Sequence, residues 1–309
     1  MITAAVLTAV LLGLTGTAHA IVNRRAAAAG PIVATAAPVA AATSAPTTAK
    51  SAPAAKAAAT AAPRSGSAAV VAAEQSVNAL DESSTTTQIG AAVLDRSTGQ
   101  LEMGDDGGTP FYSASVVKLY TVVAILHRVE TGDVTLTDDV TDEIQRALSR
   151  SDDEAMDALW SGFGGSDTVT QAIALANLTD SSPPDDPSQW GEARISARDV
   201  VRLYNYMLTS MSSDSRTMIM NGLLDAQDTG ADGFDQAFGL LNPPRPTGVA
   251  AKQGWMWYGS DLYLHSTGAL GPNQRFVVAI LTKGPANQAT QSALVTKAAQ
   301  GVEAALAKA

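Results

Sequence analysis

A serine and a lysine three residues apart, Ser115 and Lys118, are the side chains of this sequence best suited to do chemistry. An apolar run, 119–126, follows and predicts a helix, so the hydroxyl and the amine would lie on one face, one turn apart. The helix N-terminus adds free N–H groups and a partial positive charge. A serine hydroxyl becomes a good nucleophile only when a neighbour takes its proton, which Lys118 can do if its pKa is lowered. The alternative is a capping serine followed by a surface lysine.

Two further segments with serine, aspartate and lysine residues follow this pair along the chain. Residues 151–153 read Ser-Asp-Asp and precede a predicted helix, and residues 252–255 read Lys-Gln-Gly-Trp and open a strand-like segment. The order resembles the Ser-x-x-Lys, Ser-Asp-Asn and Lys-Thr-Gly motifs of active-site serine β-lactamases and penicillin-binding proteins. The resemblance extends from about residue 70 to residue 309, with the first motif intact and the other two altered.

The resemblance implies an α/β fold in which an antiparallel five-stranded sheet is flanked by helices and joined to a helical subdomain, with the site between them. The flanking segments 265–272 and 275–281 resemble the last two strands of that family. Apolar patterning places the predicted elements in a compatible order. Strands are predicted at 88–94, 101–103, from 249, at 261–270 and at 276–281, and helices at 70–80, through much of 131–210 (clearest at 198–204, with Ser196 as N-cap) and at 288–307.

The resemblance also implies roles for individual residues. Ser115 would be the nucleophile and Lys118 its base. The backbone N–H groups of Ser115 and Trp255 would form the oxyanion hole. Ser151, aided by Lys252, would pass a proton to the leaving group.

The second motif departs from the family pattern at Asp153, where the family has Asn. An amide can donate a hydrogen bond to a substrate carbonyl, whereas a carboxylate cannot. A carboxylate near Lys118 would also raise the pKa of that lysine and weaken it as a base. Asp153 therefore predicts weak acylation, or a substrate that carries a donor there. A helix cap with an acidic first turn explains Ser151 and Asp152 equally well.

The third motif has Gln253 where the family has Thr. Gln253 can still donate to a substrate carboxylate, but it is longer and would intrude on the pocket. Gly254 would let a substrate approach the strand edge closely. The alternative here is an edge strand with a solvated lysine. His265, on the neighbouring strand, either lines the pocket or is packed within the sheet.

The loop ahead of Ser196 lacks the water-activating Glu of efficient penicillin-hydrolysing members. Asp185, Asp186 and Glu192 are the carboxylates near the expected position, and none lies in a convincing motif. Without a base, an acyl-enzyme would hydrolyse slowly.

Other chemistries find little support. The sequence has no cysteine, which excludes disulfides, thiolate metal sites, a cysteine nucleophile and lipid attachment at a lipobox. His127 would lie ~18 Å along its helix from Ser115, too far for a Ser-His pair. The acidic segment 225–233 lacks the closing Glu of a calcium loop. We therefore expect no metal and no cofactor.

Composition divides the chain into three parts. Residues 1–20 are mostly apolar and end in Ala-His-Ala, typical of a signal peptide, although no basic residue precedes the apolar run, so an uncleaved anchor is the alternative. Residues 21–67 are rich in Ala, Pro and Thr and predict a disordered linker. Residues 68–309 are predicted to form the catalytic domain.

The distribution of charge along the chain indicates which partners and which location to expect. The net charge of the chain is −10, and residues 1–67 contain five basic and no acidic side chains, so residues 68–309 carry −15. An acidic domain argues against a nucleic-acid partner. We expect a monomer in the cell envelope or outside the cell, with membrane or wall association through the basic N-terminal part.

Two functions follow as hypotheses. The first is an exported serine hydrolase that transfers acyl groups through Ser115, on a β-lactam, a D-alanyl peptide or an ester, with slow deacylation. The second is a catalytically impaired domain of the same fold that binds peptidoglycan or another wall component.

Overall fold

Residues 65–84, 86–285 and 287–309 are described by a computed structural model and belong to one unit, 59–309. The predicted signal peptide or anchor, 1–20, and all but the last three residues of the predicted linker, 21–67, lie outside the described residues. The first helix begins at Ser65, so the last three residues of the predicted linker, 65–67, belong to this helix. In the described ranges, no helix is long and apolar enough to cross a membrane.

The order of the predicted helices and strands along the chain is confirmed, and two short strands, Phe111–Tyr112 and Arg194–Ile195, are additional. The strands of the described part are β1 (Gln88–Asp95), β2 (Gln100–Met103), β3 (Phe111–Tyr112), β4 (Arg194–Ile195), β5 (Ala250–Tyr258), β6 (Asp261–Leu270) and β7 (Phe276–Gly284). The helices are α1 (Ser65–Ser83), α2 (Val117–Thr131), α3 (Asp138–Ser149), α4 (Asp153–Gly162), α5 (Ser166–Ala176), α6 (Ala197–Thr209), α7 (Ser213–Leu224) and α8 (Gln288–Leu306).

Five of these strands form one antiparallel sheet in the order β2-β1-β7-β6-β5. Its central strands are apolar on both faces, because each face is covered. Ile89 and Ile280 pack with α1 and α8, whereas Leu94 and Leu281 pack with the helices of the middle of the chain. The predicted five-stranded α/β fold is confirmed, and β5 is the edge strand on the side of the middle helices.

The helical middle, α2 to α7, is built around α2. Residues 117–126 of α2 are all buried, so this helix is the hydrophobic centre of the second layer. Ser196 accepts a hydrogen bond from the N–H of Asp199 and caps α6, as the sequence predicts. The short strand β4 was not predicted, because two residues give no alternation; it pairs with β3 just before the first motif.

The segment between α5 and α6, residues 177–196, is called the 177–196 loop below. Its start is tied to α6 by the buried carboxylate of Asp199, which accepts from the N–H groups of Thr179 (3.2 Å) and Asp180 (2.7 Å). Asp180 in turn forms an ion pair with Arg198. These bonds fix the path of a loop that has little regular structure.

Candidate active site

Ser115 lies in a turn of 3₁₀-helix, residues 114–116, that runs directly into α2. Ala114 has a φ of 44°, in the left-handed region that non-glycine residues rarely adopt. Lys118 is one turn further on and has no exposed surface. Its Nζ atom donates to Oγ of Ser115 at 2.7 Å. The pair predicted from the sequence is therefore in hydrogen-bond contact and buried.

Lys118 contacts three other groups. Its Nζ donates to the backbone oxygen of Ser151 (3.0 Å) and to Oδ1 of Asp153 (2.6 Å), and it lies 4.6 Å from the centre of the Trp190 ring. Burial lowers the pKa of Lys118 from its ordinary value, and the Asp153 carboxylate opposes this by favouring the ammonium form. The sequence predicts that Asp153 raises the pKa of this lysine, and the 2.6 Å contact between the two side chains places the carboxylate close enough to do so.

Ser151 and Lys252 form a second serine–lysine pair. Ser151 precedes α4 with a φ of 54°, and Nζ of Lys252 donates to its Oγ at 2.7 Å and to the backbone oxygen of Gln253 at 2.8 Å. Lys252 is 1% exposed. Its burial, and then the charge of Lys118, lower the pKa of Lys252 well below the ordinary value. Of the two lysines, Lys252 is the one that more readily loses its proton.

A cavity of about 330 Å³ lies over Ser115. Trp190, Trp255, Asp153 and Asp157 are among the residues that line it. Trp255 is held by a stack on Phe234, with ring centres 4.4 Å apart. The two serine–lysine pairs, Asp153 and Trp255 are thus the sequence-predicted residues that the fold brings together.

Trp190 is a residue of this cavity that the sequence analysis missed. It lies on the 177–196 loop, and its Nε1 donates to Oδ1 of Asp157 at 2.8 Å. Two of the carboxylates considered there have other partners: Asp185 pairs with Arg194 at 3.0 Å, and Asp186 accepts from the N–H of Ser188. A single large aromatic residue in a polar, proline-rich loop was the signal that could have identified it.

Gln253 and Gly254 do not line the cavity, contrary to their predicted contact with substrate. Nε2 of Gln253 donates to the backbone oxygens of Phe238 (2.6 Å) and Gln236 (3.2 Å), so its amide is directed into the protein. Gly254 faces the turn that carries Ser115; an added Cβ would lie 3.1 Å from the backbone oxygen of Ser113. Gly254 therefore allows β5 to pack closely on that turn.

His265 also does not line the cavity, in contrast to its predicted contact with substrate. It has no exposed surface; its Nε2 donates to the backbone oxygen of Tyr112 at 2.7 Å, and its Nδ1 accepts from the N–H of Thr282 at 3.2 Å. The alternative of a histidine packed within the sheet is what the structure contains. In the described ranges, no group of three or more His, Asp and Glu side chains is arranged to hold a metal ion.

Comparison with known proteins identifies the same family that the three motifs indicate. The model of a family described as the β-lactamase enzyme family matches residues 72–146 and 139–306. Proteins named "Putative lipoprotein LppW", from Mycobacterium tuberculosis and Mycobacterium bovis, are 35% identical over 226 residues, which is 71% of this chain and 71% of theirs.

Solved structures show the same fold. A β-lactamase from Chitinophaga pinensis superposes with a TM-score of 0.64 at 16% identity, covering 75% of this chain and 99% of that one. A β-lactamase from Sphaerobacter thermophilus gives a TM-score of 0.61 at 18% identity, covering 77% and 97%.

Replacing His265 by Gln should reduce the acid sensitivity of the fold. Burial lowers the pKa of His265 to about 4, against about 6.5 in the unfolded chain. Between these values the unfolded chain binds the extra proton, so stability falls as pH falls, by about 3 kcal/mol in total. Urea unfolding between pH 7 and pH 4 should show a shallower loss in His265→Gln than in the parent.

The matched control for this experiment is His127→Gln, which changes a half-buried histidine on α2. The parent slope should persist in that variant. Equal slopes for the parent and His265→Gln would contradict the assignment of a neutral, packed His265.

Proposed function

This chain belongs to the β-lactamase enzyme family, and from that premise we propose that it is a serine hydrolase that transfers acyl groups through Ser115. The observation that carries the proposal is the 2.7 Å hydrogen bond from Nζ of Lys118 to Oγ of Ser115, in a buried setting beside a cavity. The substrates we propose are a β-lactam, a D-alanyl peptide or an ester.

In the proposed acylation step, Oγ of Ser115 attacks the substrate carbonyl while neutral Lys118 accepts the hydroxyl proton. A new C–O bond forms, and the bond from the acyl carbon to the leaving group breaks. The leaving group takes a proton from the Ser151 hydroxyl, and the ammonium form of Lys252 returns one to that oxygen, becoming the neutral amine that its burial favours. The N–H groups of Ser115 and Trp255 are proposed to hold the oxyanion. The ion pair with Asp153 slows this step, because it favours the charged form of Lys118.

Deacylation is proposed to be slower still. Hydrolysis of the ester requires a water molecule and a base close to Ser115. Trp190 lines the cavity there with an apolar ring, and the nearby carboxylate of Asp157 accepts the hydrogen bond of that indole. We therefore propose that the acyl-enzyme persists.

The second candidate is a wall-binding domain that has lost turnover. The ion pair of Lys118 with Asp153, at 2.6 Å, favours it, because the pair stabilises the ammonium form of Lys118, which cannot accept a proton.

We also propose an envelope location and action as a monomer. The named lipoprotein relatives support the location. The present sequence contains no cysteine for lipid attachment, so the N-terminal segment 1–20 would direct export.

Incubation of the full chain with a penicillin should give a covalent adduct of one drug mass on the parent protein and none on Ser115→Ala. Intact-mass spectrometry measures both. Ser161→Ala, which changes an exposed serine on α4, is the control and should form the adduct. An adduct on Ser115→Ala would contradict the assignment of the nucleophile. No adduct and no consumption of penicillin or of a D-alanyl peptide would favour the binding domain.

Trp190→Ala should shorten the lifetime of the adduct. Removal of the indole admits water to the ester and frees Asp157, so we expect the adduct to decay several-fold faster, less than the roughly 10²-fold or more that a fully positioned base contributes. The decay is followed by intact mass after removal of free penicillin. Trp257→Ala, at a tryptophan that is 56% exposed, is the control. An unchanged lifetime in Trp190→Ala would argue against a shielding role.

Asp153→Asn should move the acid limb of the acylation rate to lower pH. The carboxylate raises the pKa of Lys118 against the lowering effect of burial, so its removal lowers that pKa and leaves more neutral lysine at pH 7. A shift of about one pH unit is expected for the loss of one close charge. The rate of adduct formation between pH 5 and pH 10 measures it. Glu154→Gln, at the exposed neighbour, should leave the profile in place; a shift to higher pH in Asp153→Asn would refute the account.

A further inference from the structure

The charges and walls of the cavity over Ser115 point to one class of substrate. Resting on the proposed acyl transfer, we infer that this cavity prefers acyl donors that carry a protonated amine, and that donors with a carboxylate, penicillins and D-alanyl peptides included, acylate Ser115 more slowly.

The charged side chains that line the cavity are both carboxylates, Asp153 and Asp157. They lie four residues apart on α4 and thus on the same face of that helix. One oxygen of Asp153 accepts from Lys118, yet the Asp153 side chain is 59% exposed, so its other oxygen is accessible to a ligand. Among the described residues, no lysine or arginine is part of the cavity lining.

The positive charges below the cavity are compensated or readily lost. Asp153 neutralises Lys118, and burial favours the uncharged form of Lys252. A third carboxylate, Asp232, is held beside the cavity by a 2.9 Å hydrogen bond from Nε1 of Trp255. The balance of charge around a bound substrate is therefore negative.

The group that would hold an anion is turned away. The resemblance implies that the residue after Lys252 contacts a substrate carboxylate. In this chain the amide of Gln253 already donates to the backbone oxygen of Phe238. A substrate carboxylate would meet Asp153 and Asp157 without a donor to compensate, which is unfavourable in a partly buried site.

The walls of the cavity suit a cation for a separate reason. Trp190 and Trp255 are among its lining residues, and an indole ring attracts an ammonium group more strongly than any other side-chain ring. The charge of −15 on residues 68–309 also favours the approach of a cation. Aromatic walls, nearby carboxylates and a missing anion donor are independent features that select the same ligand charge.

Three thioesters with one aryl thiol leaving group, and acyl chains of equal length that end in an ammonium, a hydroxyl or a carboxylate, test this inference. With the full chain, we expect the acylation rate constant kcat/KM to be at least tenfold higher for the ammonium donor than for the carboxylate donor. The preference should shrink as salt is raised. Asp157→Asn should reduce the ratio several-fold, whereas Glu154→Gln, one residue from Asp153 and outside the cavity lining, should not.

Binding of unreactive amides with the same three chain ends to Ser115→Ala separates this inference from the proposed function. Tryptophan fluorescence reports occupancy, since two indoles line the cavity. Selective binding of the ammonium amide, with no acylation of the parent, would support the inference and overturn the acyl transfer. Acylation of the parent with equal or better rates for the carboxylate donor would overturn the inference alone. No acylation and no selective binding would overturn both.

Discussion

The burial of two lysine amines is the constraint on which the rest of the site depends. Lys118 and Lys252 have almost no contact with solvent, and a charged amine in such a place is costly unless it is paired. Each amine contacts a serine hydroxyl and a backbone oxygen, but only Lys118 also contacts a carboxylate. The same burial therefore lowers the pKa of both lysines, but the carboxylate opposes this at Lys118, so Lys252 is the lysine more strongly biased towards its neutral form.

The fold positions this pair of lysines through close packing of three elements. The 3₁₀ turn at Ser115, the start of α4 and the edge strand β5 meet at the site, and Gly254 allows the strand to approach the turn. Ala114 and Ser151 both have left-handed backbone conformations next to the reacting groups. Such strain persists only where the surroundings enforce it, and here the buried α2 and the two-sided core of the sheet do so.

Much of this arrangement is predictable from sequence. The features that are not predictable depend on contacts between residues that are far apart in the chain. The strands β6 and β7 are long apolar runs, and the Ser115–Lys118 spacing needs only a helix to place both side chains on one face. The orientation of Gln253 depends on backbone oxygens of the segment 236–238, which no local pattern reveals. Trp190 lies on an irregular loop whose start, at Asp180, is anchored by Asp199, nineteen residues further along the chain, and no local pattern reveals that path. Residues 1–20 and 21–64 are outside the described ranges, so their roles stay predictions.

Direct titration tests whether the two buried lysines differ in protonation. Carbon-13 labelling of the lysine ε-carbons in the full chain, with signals assigned by Lys118→Met and Lys252→Met, gives each pKa by NMR. We expect the pKa of Lys252 to lie well below the ordinary value, that of Lys118 to lie below it by less, and Asp153→Asn to lower the latter further. Titration of both lysines near the ordinary value, or of Lys118 below Lys252, would contradict the account.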